Sequence, residues 1–163
     1  MTPVRTLTAA MIGVVAFATP AFAVQFTGEV TGVPQGDTLL VKHEGKIRTI
    51  RLHGLLAPEQ GQPYAEQAAA FLAKAVMGQT VHVIPMSKGR QKAVSAEVLL
   101  DGKSLNDQLV REGLAWWNHK QTKGGRLRTL QAAARAERKG LWADPDPIPP
   151  WDWKKGVRPR GAS

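Results

Sequence analysis

The chain has 163 residues, with 22 Lys and Arg against 13 Asp and Glu, and no cysteine. That excludes a disulfide framework, a thiolate metal site and a cysteine nucleophile. At 43% hydrophobic and 21% charged it has a globular composition with enough length for one buried core, and its formal charge of +9 favours a polyanionic partner.

Residues 1–23 read as a secretory signal. Arg5 supplies a short basic start, Leu7 to Ala18 an apolar run, and Ala21-Phe22-Ala23 a small-x-small site, with cleavage expected after Ala23. The run is shorter than the roughly 20 apolar residues a bilayer span takes. The chain from Val24 onward is therefore expected in the periplasm or outside the cell.

From Val24 to Leu52 apolar residues alternate and turns punctuate. Phe26, Gly28 and Val30 share one side of a first strand, and Pro34-Gln35-Gly36-Asp37 makes a turn. Thr38 to His43 and Lys46 to Leu52 form the second and third strands around Glu44-Gly45. His53 to Pro63, with two glycines and two prolines, reads as a loop. Ala68, Phe71, Leu72, Ala75 and Val76 recur at helical spacing before Gly78. Thr80 to Pro85 and Ala93 to Leu100 supply the fourth and fifth strands, the last ended by Asp101-Gly102. Ser104 caps a short helix through Glu112, and a last helix runs from about Arg126 to Lys139, stopped by Gly140. Trp142 is expected in the core. Residues 143–163 form a Pro/Trp-rich tail without period, after a single domain over 24–142.

This order suits an α+β fold built on a five-stranded Greek-key OB barrel with about three flanking helices, whose open face takes oligonucleotides or oligosaccharides. From the residues alone, the base case is Asp37 as a turn residue, Arg51 as a strand-end charge and Glu59 as a loop acid. The histidines, His43, His53, His82 and His119, have no ligand spacing.

Gly36-Asp37-Thr38, Arg51-Leu52-His53-Gly54, Ala57-Pro58-Glu59, Ala96-Glu97-Val98, Leu109 through Ala115 and Arg138-Lys139-Gly140-Leu141-Trp142 resemble, in order, the staphylococcal nuclease (thermonuclease) family. Pro149-Pro150-Trp151-Asp152-Trp153 resembles the tail of its secreted bacterial members. The resemblance implies an OB barrel with flanking helices and calcium-dependent hydrolysis of DNA and RNA; single strands are the expected preference and a monomer the expected state. It implies Asp37 as a Ca2+ ligand, Arg51 as a phosphate-contacting catalytic arginine and Glu59 as general base.

Two positions depart from the pattern. The second metal carboxylate, three residues before the general base, is Leu56. Calcium collects about 6–8 oxygen ligands and its affinity follows their charge, so the implied Ca2+ site is weakened. A second catalytic arginine falls on Ala93, with Arg90 or Lys92 as the displaced cation. Losing one such donor costs about 10²–10³ in rate elsewhere. The expectation is a weakened metal-assisted nuclease; the alternative is an inactive envelope module that binds nucleic acid or another polyanion.

Between Trp116 and Lys139 the only acid is Glu137, against seven Lys and Arg. Trp116, Trp117, Lys120, Lys123 and Arg126 are the candidate nucleic-acid contacts, rings for stacking and cations for phosphate. A solvated helix face with one tryptophan in the core is the other reading of the same residues.

Overall fold

The computed structural model describes residues 24–86 and 92–159. The expected signal segment and Arg90 lie outside the described residues. Strand β1 (Phe26–Gln35) pairs antiparallel with β2 (Thr38–His43) on one edge and with β5 (Thr80–Pro85) on the other. β2 continues antiparallel to β3 (Lys46–Leu52), and β5 to β6 (Ala93–Leu100). The parallel pairing of β3 with β6 closes these five strands into a barrel. The expected α+β barrel is what forms.

Alternation explains its filling. Val30, Leu39, Val41, Ile50, Leu52, Val81, Val83, Ala96 and Val98 are all at most 2% exposed and point inward. Each valine, leucine and isoleucine among them contributes about 1.5–3 kcal/mol from burial. Helix α1 (Ala65–Val76) closes one end through Ala68, Leu72 and Val76. Two-residue strands β4 (Leu55–Leu56) and β7 (Lys103–Ser104) flank the barrel strands, and α2 (Leu105–Arg111) follows β7. Its cap is the expected one, since the Ser104 hydroxyl accepts from the Asp107 N–H at 3.1 Å. α3 (Arg126–Ala136) packs beside α2.

The loop expected over His53 to Pro63 contains β4, which pairs with β8 (Trp116–Trp117). Two residues are too few to show a period, so the strand could not be read. The tail differs likewise: a 3-10 turn spans Gly140–Ala143 and a one-turn helix, α4, spans Pro150–Trp153. The described residues thus hold four α-helices rather than about three. Pro150 stands at the first position of α4, where its fixed φ and missing N–H cost nothing. A second apolar cluster, of Trp116, Ala134, Leu141 and Trp142, receives Tyr64 and Trp151 and so fastens α3, the 3-10 turn and α4 together.

Candidate active site

Asp37 sits where β1 turns into β2, and its carboxylate is buried. Oδ1 accepts from the Thr38 hydroxyl at 2.8 Å and Oδ2 from the Ala57 N–H at 3.3 Å. The turn can lie this close to α1 because residue 36 is glycine. A Cβ there would stand 2.6 Å from the Ala68 Cβ and 3.0 Å from the Ala57 Cβ. The β2–β3 register places Thr38 opposite Arg51, and Arg51 Nη2 lies 3.7 Å from Asp37 Oδ2. The structure therefore brings Asp37 and Arg51 together as a half-buried ion pair.

On its other side Arg51 is level with Ser95 across the parallel β3–β6 seam. An open cleft there is lined by Arg51, Leu56, Lys92, Ala93, Ser95 and Gln121, among others. Ala93 adds no charge, but exposed Lys92 does, so two cations share the cleft. Its wall is stiffened from below. His53 Nδ1 lies 3.0 Å from the Ser95 hydroxyl, and fully buried Asn106 donates to the carbonyls of His53 (2.9 Å) and Ala96 (3.2 Å) while accepting from the Val98 N–H. Gln121 Oε1 accepts from the Gly54 N–H at 2.9 Å, tying the 118–124 loop to the rim.

Glu59 is held from the other end of the chain. Its N–H donates to Gln62 Oε1 at 2.9 Å, and Gln62, itself buried, donates through Nε2 to the Ile148 carbonyl at 2.6 Å. The Glu59 carboxylate pairs with Lys154 Nζ at 2.9 Å. Gln62, Lys154, Gln121 and Asn106 were not legible in the sequence. A buried Gln and Asn have no spacing signature, and Lys154 is one of several cations in a basic tail.

The nucleic-acid candidates separate. Trp116 is 5% exposed, its ring centroid 4.4 Å from Trp142 and 5.7 Å from Trp151. It is core, with no free face for a base. Trp117 is half-buried, its indole N–H donating to the Thr122 hydroxyl at 2.7 Å. Lys120 and Lys123 are exposed on the adjoining loop. Arg126 is exposed but already paired: Nη2 lies 2.8 Å from Glu97 Oε1 and Nε 2.8 Å from Asp107 Oδ1. Burial raises the Asp107 carboxyl above its ordinary range, opposed by the Arg126 charge. Arg126 thus ties α3 to α2 and β6.

The calcium donor set is poor. Asp37 brings one carboxylate, already engaged by Thr38, Ala57 and Arg51. Leu56, next to the Ala57 whose N–H meets Asp37, offers only an alkyl side chain, and among the described residues no group of three His, Cys, Asp or Glu could hold a metal ion. A hard divalent ion needs more oxygen and more negative charge than this.

The family model described as staphylococcal nuclease homologue matches residues 49–144. The chain belongs to the staphylococcal nuclease homologue family. Among its relatives in this family, an Escherichia coli protein named an uncharacterized endonuclease is 34% identical over 139 residues, 85% of this chain and 91% of its own. A Shigella flexneri protein named micrococcal nuclease is 31% identical, covering 94% of this chain and 93% of its own. The Arabidopsis thaliana staphylococcal-like nuclease CAN1 is 33% identical over 76% of this chain, which spans only 37% of that longer protein. The family implies nucleic acid as substrate, and the nuclease-homologue domain places Arg51 on its open cleft. No helix of the described residues is long and apolar enough to cross a membrane.

Proposed function

We propose that this protein is an exported monomeric nuclease that hydrolyses DNA or RNA phosphodiesters slowly, with single strands preferred. The observation that carries the reading is the pairing of Arg51 and Lys92 on one open cleft beside the buried Asp37. Attack of water on a phosphodiester loads negative charge onto the phosphoryl oxygens. Arg51 meets that charge with a planar two-donor fork, pre-oriented by Asp37, and Lys92 adds a point charge where Ala93 has none. Glu59 takes the proton of the attacking water as the water oxygen bonds to phosphorus, the P–O bond to the leaving sugar oxygen breaks, and solvent returns a proton to that oxygen. Half-buried Trp117 offers an unstacked base a partial ring face, with Lys120 and Lys123 along the backbone. Leu56 leaves Asp37 as the counter-ion of Arg51, so the reaction lacks the charge stabilisation of a well-held calcium ion and runs slowly.

The test is cleavage of fluorescent single-stranded DNA by purified 24–163, with calcium, manganese or chelator. Slow turnover that is lost in both Arg51→Met and Glu59→Gln supports the reading. Turnover that survives both substitutions sinks it. One observation favours a second reading, a binding module without catalysis: both carboxylates, Asp37 and Glu59, are already neutralised by cations of the same chain. That reading requires salt-dependent binding of the same oligonucleotide with no product under any metal.

A further inference from the structure

We propose that Lys154, in the turn that ends α4, is a positioning residue for Glu59, which makes the C-terminal segment a working part of the site. The inference rests on the nuclease reading above. Glu59 lies on an irregular loop, where nothing in regular secondary structure fixes a carboxylate. Gln62 of the same loop brackets its backbone, accepting the Glu59 N–H and donating its own N–H to the Glu59 carbonyl at 2.9 Å, and two further ties come from the tail. The Ile148 carbonyl takes the Gln62 amide, whose oxygen in turn holds the Glu59 N–H, and Lys154 takes Oε1 of the carboxylate. Tyr64, at the end of the same loop, has φ +68°. A left-handed tyrosine persists only where its surroundings over-determine it.

The tail is able to act as such a brace because it is itself anchored. Pro150 is buried, Trp151 lies edge-on to Trp116 at 5.7 Å, and the Lys154 N–H donates to the Pro150 carbonyl at 3.1 Å. With Oε1 occupied by the ammonium group, Oε2 is the oxygen left to receive a proton from water. The neighbouring Lys155 points elsewhere, to Asp152 at 3.0 Å, which supplies a matched control.

Lys154 is about half exposed, so solvent screening limits what its charge alone contributes. The effect lies in geometry: a general base that wanders loses orientation, and the loss falls on the chemical step, not on substrate binding. Steady-state cleavage of single-stranded DNA by 24–163 is compared for wild type, Lys154→Met, Lys154→Arg, Lys155→Met and Glu59→Gln. The expected result is a kcat about tenfold lower in Lys154→Met at nearly unchanged KM, on the scale of small misplacements of catalytic groups. Arg at 154 restores most of it, and Lys155→Met matches wild type. In the Glu59→Gln background, adding Lys154→Met changes nothing further. If wild type turns over and Glu59→Gln does not, yet Lys154→Met keeps full kcat, the positioning role is overturned while the nuclease reading stands. If wild type shows no turnover, or Glu59→Gln retains it, the nuclease reading itself fails.

Discussion

Arg51 reaches back to Asp37 across the β2–β3 pair, its Nη2 at 3.7 Å from a carboxylate oxygen that also receives the Ala57 N–H. Asp37 thereby joins the first turn of the barrel, the arginine strand and the loop that leads to Glu59. Asp37→Asn keeps the size of the side chain but turns one of its two acceptor oxygens into a donor and removes the charge that aims Arg51. It is expected to lower cleavage by about tenfold or more while costing roughly 1 kcal/mol of stability, since Arg51 is half exposed. Kinetics and urea unfolding on the same preparation separate the two effects.

Leu56→Asp puts a second carboxylate next to the residue whose N–H binds Asp37. Without metal, the added half-buried charge repels Asp37 and should lower stability by about 1–2 kcal/mol. Calcium should then raise the melting temperature of the variant and leave that of wild type unmoved, because a ligand stabilises only the state that binds it. An equal calcium shift in both proteins would show that Leu56 is no obstacle to the ion.

The cations of the basic stretch divide into two kinds. Lys120→Gln with Lys123→Gln should weaken oligonucleotide binding, and reduce the salt slope by roughly 0.7 for each phosphate that is no longer neutralised, with no change in unfolding. Arg126→Met should do the reverse. It leaves Glu97 and Asp107 facing each other and is expected to cost about 1–2 kcal/mol, discounted for the exposure of the arginine. Titrations at several salt concentrations beside urea curves distinguish them.

Asp107 gives stability a pH dependence of definite sign. Its folded-state pKa is raised above the ordinary 3.8, chiefly by burial, so the folded protein binds the proton more tightly than the unfolded chain. The stabilisation is complete below the ordinary value and is lost as pH rises through the raised one. The stability difference between wild type and Asp107→Asn should therefore shrink as pH climbs through the acid range just above 3.8, and be flat by neutrality. Urea midpoints of the pair across that range check it; a difference that grows with pH contradicts the assignment.

The barrel was legible because alternation at Val30, Leu39, Val41, Val81 and Val83 is a statement about inside and outside, which burial then enforces. Asp37, Arg51 and Glu59 were legible as positions through ordered motifs. Their partners were not. The pairings of Arg126 with Glu97 and Asp107, and of Glu59 with Lys154, join residues far apart in the chain, and no local pattern encodes a distant ion pair. Trp116 and Trp117 show the same limit: adjacent identical residues, one core and one rim, divided by which way a two-residue strand faces.

The bond between Gln62 and Ile148 spans 86 residues of sequence. During synthesis the barrel strands and α1 are all made long before the segment that braces Glu59. Until residues 148 to 154 are made, the Glu59 loop is held only by its own turn, closed by Gln62. Assembly of this centre thus waits on synthesis of residues 148 to 154: the turn and strand that carry Asp37 and Arg51 are made first, and the brace on Glu59 is added only later.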